Sequence, residues 1–395
     1  MRAKSVRSPA ANLTRRSILA GGSLLALSAC MPSGFGGGSA PRVDTNAPVP
    51  VALLVPAGSS NQGNTILATS LENAARLAVA DLSGVQIDLR VYSTQGDPAV
   101  AAQVARQAAD EGARIILGPV HGAEAAAVGT AVAPDGLNVL TFSNNPAIAG
   151  NNVFVLGLTP DNAARRVFTY AAEHGKPRTM VIGERTTAGE LMLAAVNRAV
   201  AGTGAEIVAT ETYEFSQQGI VAALPQLAST ARSSGAQAIL FTADSAGALP
   251  VLAQLLPDNR ISGPQFQFMG VTQWNVPPAT LQLRGLQEGW FAMPDPALTS
   301  QFEQRYTAAY GSGPHPIAGL AYDGIAAIGA LLGTGSAQAL SRESLTQSSG
   351  FVGVNGVFRL LADGTNQRGL ALATIRDNAV VILDPAPRSF AGMGA

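Results

Sequence analysis

VALLVPAGSSNQGNTILATSLENAARLAVAD, residues 51–81, is the stretch on which the fold turns. An apolar run over 49–55 stops at Pro56 and passes through a Gly/Ser/Asn turn. It gives way to 66–82, where Ile66, Leu67, Ala74, Leu77, Ala78 and Leu82 recur at helical spacing. A short, continuously apolar strand followed by an amphipathic helix is the building unit of a parallel sheet covered by helices. Working outward, the unit repeats. Strands are expected over 85–92, 115–117, 138–141 and 153–158, with a helix opened by Pro98 and running to Glu111, and another starting at Gly122. The alternation restarts with strands at 179–182, 206–213 and 238–242 and helices at 187–201, 219–233 and 246–256. The expected class is α/β, with two Rossmann-like lobes built on parallel sheets. No short sequence repeat accompanies this, so the likeness between halves is architectural.

Composition narrows the functions. With 395 residues, 47% of them hydrophobic, the chain has enough apolar side chain for a folded globule, which excludes wholesale disorder. Residues 1–29 carry Arg2, Lys4, Arg7, Arg15 and Arg16 and no acidic group, leaving 20 basic against 26 acidic residues in the remainder, a net of −6. An acidic body without a basic cluster argues against nucleic acid as a partner. A single cysteine excludes an internal disulfide framework and any multi-cysteine metal site, and three histidines leave little for a histidine-rich one. No metal or cofactor is expected.

The N-terminus reads as an address. In TRRSILAGGSLLALSAC (14–30), the apolar run Ile18–Leu27 is too short for a hydrocarbon core of ~30 Å and suits the h-region of a signal peptide over 1–29. Arg15-Arg16 resemble a twin-arginine export signal and equally fit the ordinary basic flank of a Sec signal. Leu27-Ser28-Ala29-Cys30 resembles a bacterial lipobox, which implies acylation of Cys30 and attachment to an inner or outer membrane. Residues 31–48, rich in Gly, Pro and Ser, then form a flexible tether (30–48 with the cysteine) reaching roughly 60 Å at ~3.3 Å per residue.

Five segments in order carry a family resemblance. They are 51–81, RIILGPVHGAEAAAV (114–128), NVLTFSNNPAI (138–148), HPIAGLAYDGIAAIGALL (315–332) and GVNGVFRLLADGTNQRGLALATI (353–375). Together they resemble the type I periplasmic-binding family, in particular its leucine/isoleucine/valine-binding branch. The resemblance implies two lobes crossed three times by the chain, with 49–158 plus 290–348 in lobe one and 159–289 plus 349–390 in lobe two. It also implies a periplasmic, non-catalytic receptor that closes on a small amino-acid-like solute and hands it to an ABC permease.

In open parallel sheets ligands sit beyond the carboxyl ends of strands, so the loops there are the candidate site. In lobe one these are 58–64 with Ser59, 118–123 with His121, Gly122 and Ala123, and 142–145 with Ser143 and Asn144. In lobe two they are 184–187 with Glu184, 244–245 with Asp244, and 273–274 with Trp274. By the resemblance, Gly122 and Ala123 offer N–H groups to a carboxylate, and Ser143 and Asn144 form the next ligand loop or simply cap a turn. His121 either binds an anion or senses pH, or it is a structural or simply exposed residue. Glu184 and Asp244 are the available carboxylates for an ammonium group, or solvated caps. Trp274 is expected to roof the pocket, whereas Tyr322 and Asp323 match residues packed near the hinge. GSSNQGN (58–64) lacks the spacing and lysine of a phosphate loop.

One departure matters. The family's amino-acid binders commonly carry an aromatic-Gly pair where this chain has TTAGE (186–190). The lipobox, the tether and the ending VVILDPAPRSF (380–390) also resemble penicillin-binding protein activators, lipoproteins of the same fold that dock on a peptidoglycan synthase. No Gly-x-Ser-x-Gly, His-Glu-x-x-His, Cys-His pair or phosphate loop occurs, so an enzyme is not expected.

Overall fold

The strand–helix alternation read from 51–81 organises the computed structural model, which describes residues 40–390. Residues 1–29 and Cys30, the expected signal peptide and lipid site, and most of the tether lie outside the described residues. In the first lobe β1 (Val49–Val55), β2 (Ile87–Ser93), β3 (Ile115–Leu117), β4 (Val139–Thr141) and β5 (Val153–Val155) form a wholly parallel sheet, ordered β2-β1-β3-β4-β5. Helices α1 (Gln62–Asp81), α2 (Pro98–Asp110) and α3 (Gly122–Val132) connect them. β1 is apolar throughout because both its faces are covered. Val51, Leu53 and Val55 enter one core and Ala52 and Leu54 the other, the period-two alternation of a strand.

The second lobe repeats the scheme with α4 (Pro160–Glu173), β6 (Arg178–Glu184), α5 (Thr187–Ala199), β7 (Glu206–Tyr213), α6 (Gln217–Ser233), β8 (Ala238–Phe241), α7 (Leu249–Asp258), β9 (Gln267–Gly270) and β10 (Trp290–Met293). Later in the chain come α8 (Pro296–Tyr310), α9 (Gly319–Leu332), α10 (Arg342–Leu345), β11 (Phe351–Gly353), β12 (Gly356–Leu360), β13 (Asn366–Arg368), β14 (Ala371–Arg376) and β15 (Ala379–Asp384). The second sheet runs β15-β14-β10-β9-β8-β6-β7 and is mixed, because β14 and β15 join antiparallel. β14 and β15 are linked by Asp377-Asn378, both at positive φ, the backbone of a tight two-residue hairpin; such a link needs no crossover helix.

Two stretches lie elsewhere than the expected boundaries put them. β10, expected with the first lobe, is hydrogen-bonded between β9 and β14 in the second sheet. β11–β13, expected with the second lobe, form a small antiparallel sheet whose Phe351, Phe358 and Leu360 pack into the first lobe's core beside α1, α8 and α9. The chain therefore passes between lobes at 156–159, 294–295 and 369–370.

The first helix also starts earlier than its apolar spacing indicated. Asn61 caps it by accepting the Gly63 N–H at 2.9 Å, and the first turn faces solvent. Ile66, expected on the buried side, is 60% exposed, and Leu71 and Ala75 do the packing instead.

Candidate ligand-binding crevice

The site is built where the strands end. After β1, the turn braces itself: Ser59 Oγ accepts the Asn61 N–H at 3.2 Å and the Asn64 side-chain amide at 3.1 Å. After β3, Gly118 is at φ +92 and lies so close to the Leu54 carbonyl that any Cβ there would collide with it. Its neighbour Pro119 offers a carbonyl to the Phe142 N–H and the Thr141 hydroxyl, which clamps the β3 and β4 loops together. At the start of α3, His121 is the N-cap, and the fully buried Glu124 accepts the His121 backbone N–H at 3.3 Å through Oε2. The His121 ring stands 4.0 Å from that same oxygen, and Oε1 of Glu124 has no partner.

Ser143 is buried, and its Oγ accepts the Asn145 N–H at 3.2 Å. A Cβ on Gly122 would stand 3.7 Å from Ser143 Oγ and 3.5 Å from Asn145 Nδ2. The structure thus gathers His121, Gly122, Ser143, Asn144 and Asn145 on one rim of the first lobe. Ser59 belongs to the β1 turn, two strands away from β4 in the sheet. Ala123 is exposed beside His121.

In the second lobe, Glu184 ends β6 and accepts the Tyr213 hydroxyl at 3.1 Å. Burial holds its carboxyl above the usual range. The Tyr213 bond works against that rise, and the nearby charge of Asp244 adds to it. Burial and the Glu184 charge push the Tyr213 phenol upward in turn. Asp244 is exposed and accepts the Ala246 N–H at 3.0 Å, so it also caps its own turn. Trp274 does not roof a pocket. It is 0% exposed and stacks on Phe291, with centroids 5.9 Å apart, inside the second core. The reason is glycine: Gly270 and Gly289 leave a slot for the indole that any Cβ would fill.

Between the lobes lies a crevice of about 1110 Å³. The first lobe supplies Asn144, Asn145, Pro146 and Ala147, together with the β12–β13 hairpin from Arg359 to Gln367. The second supplies the N-terminal turn of α4, with Thr159, Asn162 and Arg165, and an apolar strip on α5 of Ala188, Leu191, Met192 and Ala195. Arg198 also lines it but is held by Asp161 at 3.1 Å. Asn144 is the one expected site residue in its wall; Ser143 precedes it in the chain, Gly122 lies against Asn145, and Glu184 is four residues before Ala188, with Gly189 packed on the Glu184 carbonyl. Sequence reasoning missed the α4 and hairpin residues. Nothing in local spacing marks them, because they meet only when β13 is laid beside β5 and α4. Among the described residues, no group of three or more His, Cys, Asp or Glu is arranged to hold a metal, and no helix is long and apolar enough to cross a membrane.

The profile of the family described as periplasmic binding protein matches residues 48–379. The chain belongs to that family. This periplasmic binding protein is similar in fold to a putative branched-chain amino acid ABC transporter from Rhodospirillum rubrum (TM-score 0.72, 18% identity, 85% of this chain and 100% of that one). It is likewise similar to a branched-chain amino acid ABC transporter periplasmic ligand-binding protein from Burkholderia xenovorans LB400 (0.68, 19%, 86% and 96%). A third is an ABC transporter substrate-binding protein from Desulfitobacterium hafniense in complex with Leu (0.62, 17%, 85% and 100%). At these identities the likeness concerns the fold. In sequence, the periplasmic binding protein is 22% identical over 231 residues, 54% of its chain, to an uncharacterised protein of Rickettsia prowazekii (strain Madrid E), and the match spans 61% of that relative.

Proposed function

We propose that this periplasmic binding protein captures a small amino-acid-like solute between its lobes and presents it, unaltered, to an ABC-type permease. The observation that carries the reading is the crevice itself. Its two walls come from different lobes and it lies beside the chain crossings, so a ligand touching both walls favours the arrangement that brings them together. The solved relative holding Leu supports the ligand class. The crevice pairs an apolar strip on α5 with side-chain amides opposite, which suits a solute with an aliphatic part and a polar end. Cys30 anchors the protein by lipid in the periplasm in this reading, and Cys30→Ser releases it from the membrane fraction.

A second reading rests on one residue. Ala188 lines the crevice where the amino-acid binders of the family commonly carry an aromatic side chain. Without that wall, the same fold also suits a penicillin-binding protein activator that docks on a peptidoglycan synthase. A thermal-shift screen of amino acids separates the two. A solute at a hundredfold excess over its Kd stabilises by about 2.7 kcal/mol and raises Tm by several degrees. No response to any amino acid, together with co-purification of a penicillin-binding protein, would overturn the import reading in favour of the second.

A further inference from the structure

We propose that the side chains of Asn162 and Asn366 form a latch at the floor of the crevice that holds the two lobes at the angle seen here and ties that angle to the Ser143–Asn144 loop. Asn162 stands in the first turn of α4, in the second lobe; Asn366 opens β13, in the first. The Asn162 amide donates to Asn366 Oδ1 at 2.8 Å and to the Asn366 carbonyl at 3.2 Å, and its Oδ1 accepts the Arg368 N–H at 3.0 Å. The two asparagines thus bond the lobes across the hinge, while the Asn162 amide also donates to Thr159 Oγ1 at 2.7 Å at the start of its own helix.

Asn366 is committed further. It is 6% exposed, and its side-chain amide donates to the carbonyls of Val155 at 2.7 Å and Gly157 at 2.8 Å. Gly157 lies in the 156–159 crossing and packs directly on the ligand loop. Its N–H donates to the Ser143 carbonyl at 3.1 Å, and a Cβ there would collide with that carbonyl. An unbroken series of hydrogen bonds therefore runs from Ser143 through Gly157, Asn366 and Asn162 into α4. Thr159, Asn162 and Asn366 also line the crevice, so whatever enters it meets the latch. A displaced loop must either carry α4 along or break a bond of the series, of which those from Asn366 to Val155 and Gly157 are buried, where an unmade partner is costly. Asn162 and Asn366 are positioning residues in this scheme.

The test needs no ligand, so its outcome is independent of the solute reading. Spin labels on Arg106→Cys in α2 and Arg232→Cys in α6, both exposed, report the interlobe distance in the full chain carrying Cys30→Ser, which removes the native thiol. Asn162→Ala removes both bonds to Asn366 and the acceptor for the Arg368 N–H, and it shifts the ratio of the native to alternative interlobe distances by at least about fivefold, the effect of one modest hydrogen bond. Asn162→Asp keeps the acceptor for the Arg368 N–H but cannot donate to Asn366, and it shifts the ratio in the same direction as the alanine variant. Asn366→Ala shifts the ratio in the same direction, and the double variant shifts it by less than the sum of the two, since both changes remove the bond between the side chains. Asn162 is only half-buried, so its variants report even if Asn366→Ala fails to fold. A native distance distribution in Asn162→Ala, a native-like Asn162→Asp, or fully additive effects would each overturn the latch.

Discussion

Asp323 and Arg368 form the most secluded ion pair among the described residues, with side chains 0% and 2% exposed and 3.1 Å between Oδ2 and Nη1. The surroundings complete it. Asp323 accepts the Val354 N–H at 2.8 Å and the Asn355 side chain at 3.0 Å, while Arg368 donates to the Leu156 carbonyl at 2.9 Å and stacks over Phe358. A satisfied pair of this kind adds little over an apolar equivalent, but half of one is costly. Asp323→Ala is therefore expected to lower stability by about 3–5 kcal/mol in urea denaturation. Arg198→Ala, which breaks the half-exposed pair with Asp161, costs less than about 1 kcal/mol. Equal effects would show that burial does not set the cost. Glu184 gives the pH counterpart. Its folded pKa lies above the unfolded value, so its contribution favours the fold below the ordinary glutamate value of 4.5 and is lost as pH rises through the higher folded value. Glu184→Gln keeps an acceptor for Tyr213 and removes that loss. The wild-type Tm falls relative to the variant as pH rises from about 4.5 toward neutrality, and parallel Tm profiles would refute the assignment.

At the scale of elements, α5 and α6 start alike. Thr186 and Ser216 are N-caps whose hydroxyls accept the N–H of Gly189 and Gly219, each at 2.9 Å. Each glycine then lies against the carbonyl five residues earlier, Glu184 or Glu214, with no room for a Cβ. Replacing an ordinary helical glycine by alanine stabilises by about 0.4–1 kcal/mol. Here the backbone must shift, and Gly219→Ala is expected to destabilise by about 1–3 kcal/mol in a denaturant midpoint. A stabilised variant would mean that the strand–helix turn relaxes freely. These turns also mark how far local reading goes. The caps and glycines are visible in the sequence, and so is the helix behind them. The start of α1 at Gln62 was missed because its first turn is polar and exposed, and periodicity is silent where nothing is buried.

For the whole molecule, the crevice is the test piece. Leu191 is 51% exposed on its α5 wall. Leu191→Asp is expected to leave the unliganded Tm close to wild type, as exposed substitutions generally change stability by less than about 0.5 kcal/mol. It abolishes any solute-induced rise in Tm. A retained rise would place the solute elsewhere between the lobes.

The sequence by itself determined the two sheet-and-helix lobes, the loops at the strand ends and an acidic body, because burial on both faces of a strand and one face of a helix imposes periods that need no partner to be read. Tertiary structure alone decided that β10 joins the second sheet and β11–β13 the first core, that Trp274 is packing, and that Asn162 meets Asn366 across 204 residues of chain. Those outcomes depend on which surfaces remain to be covered once the sheets have formed, and such complementarity between distant segments leaves no local period to find.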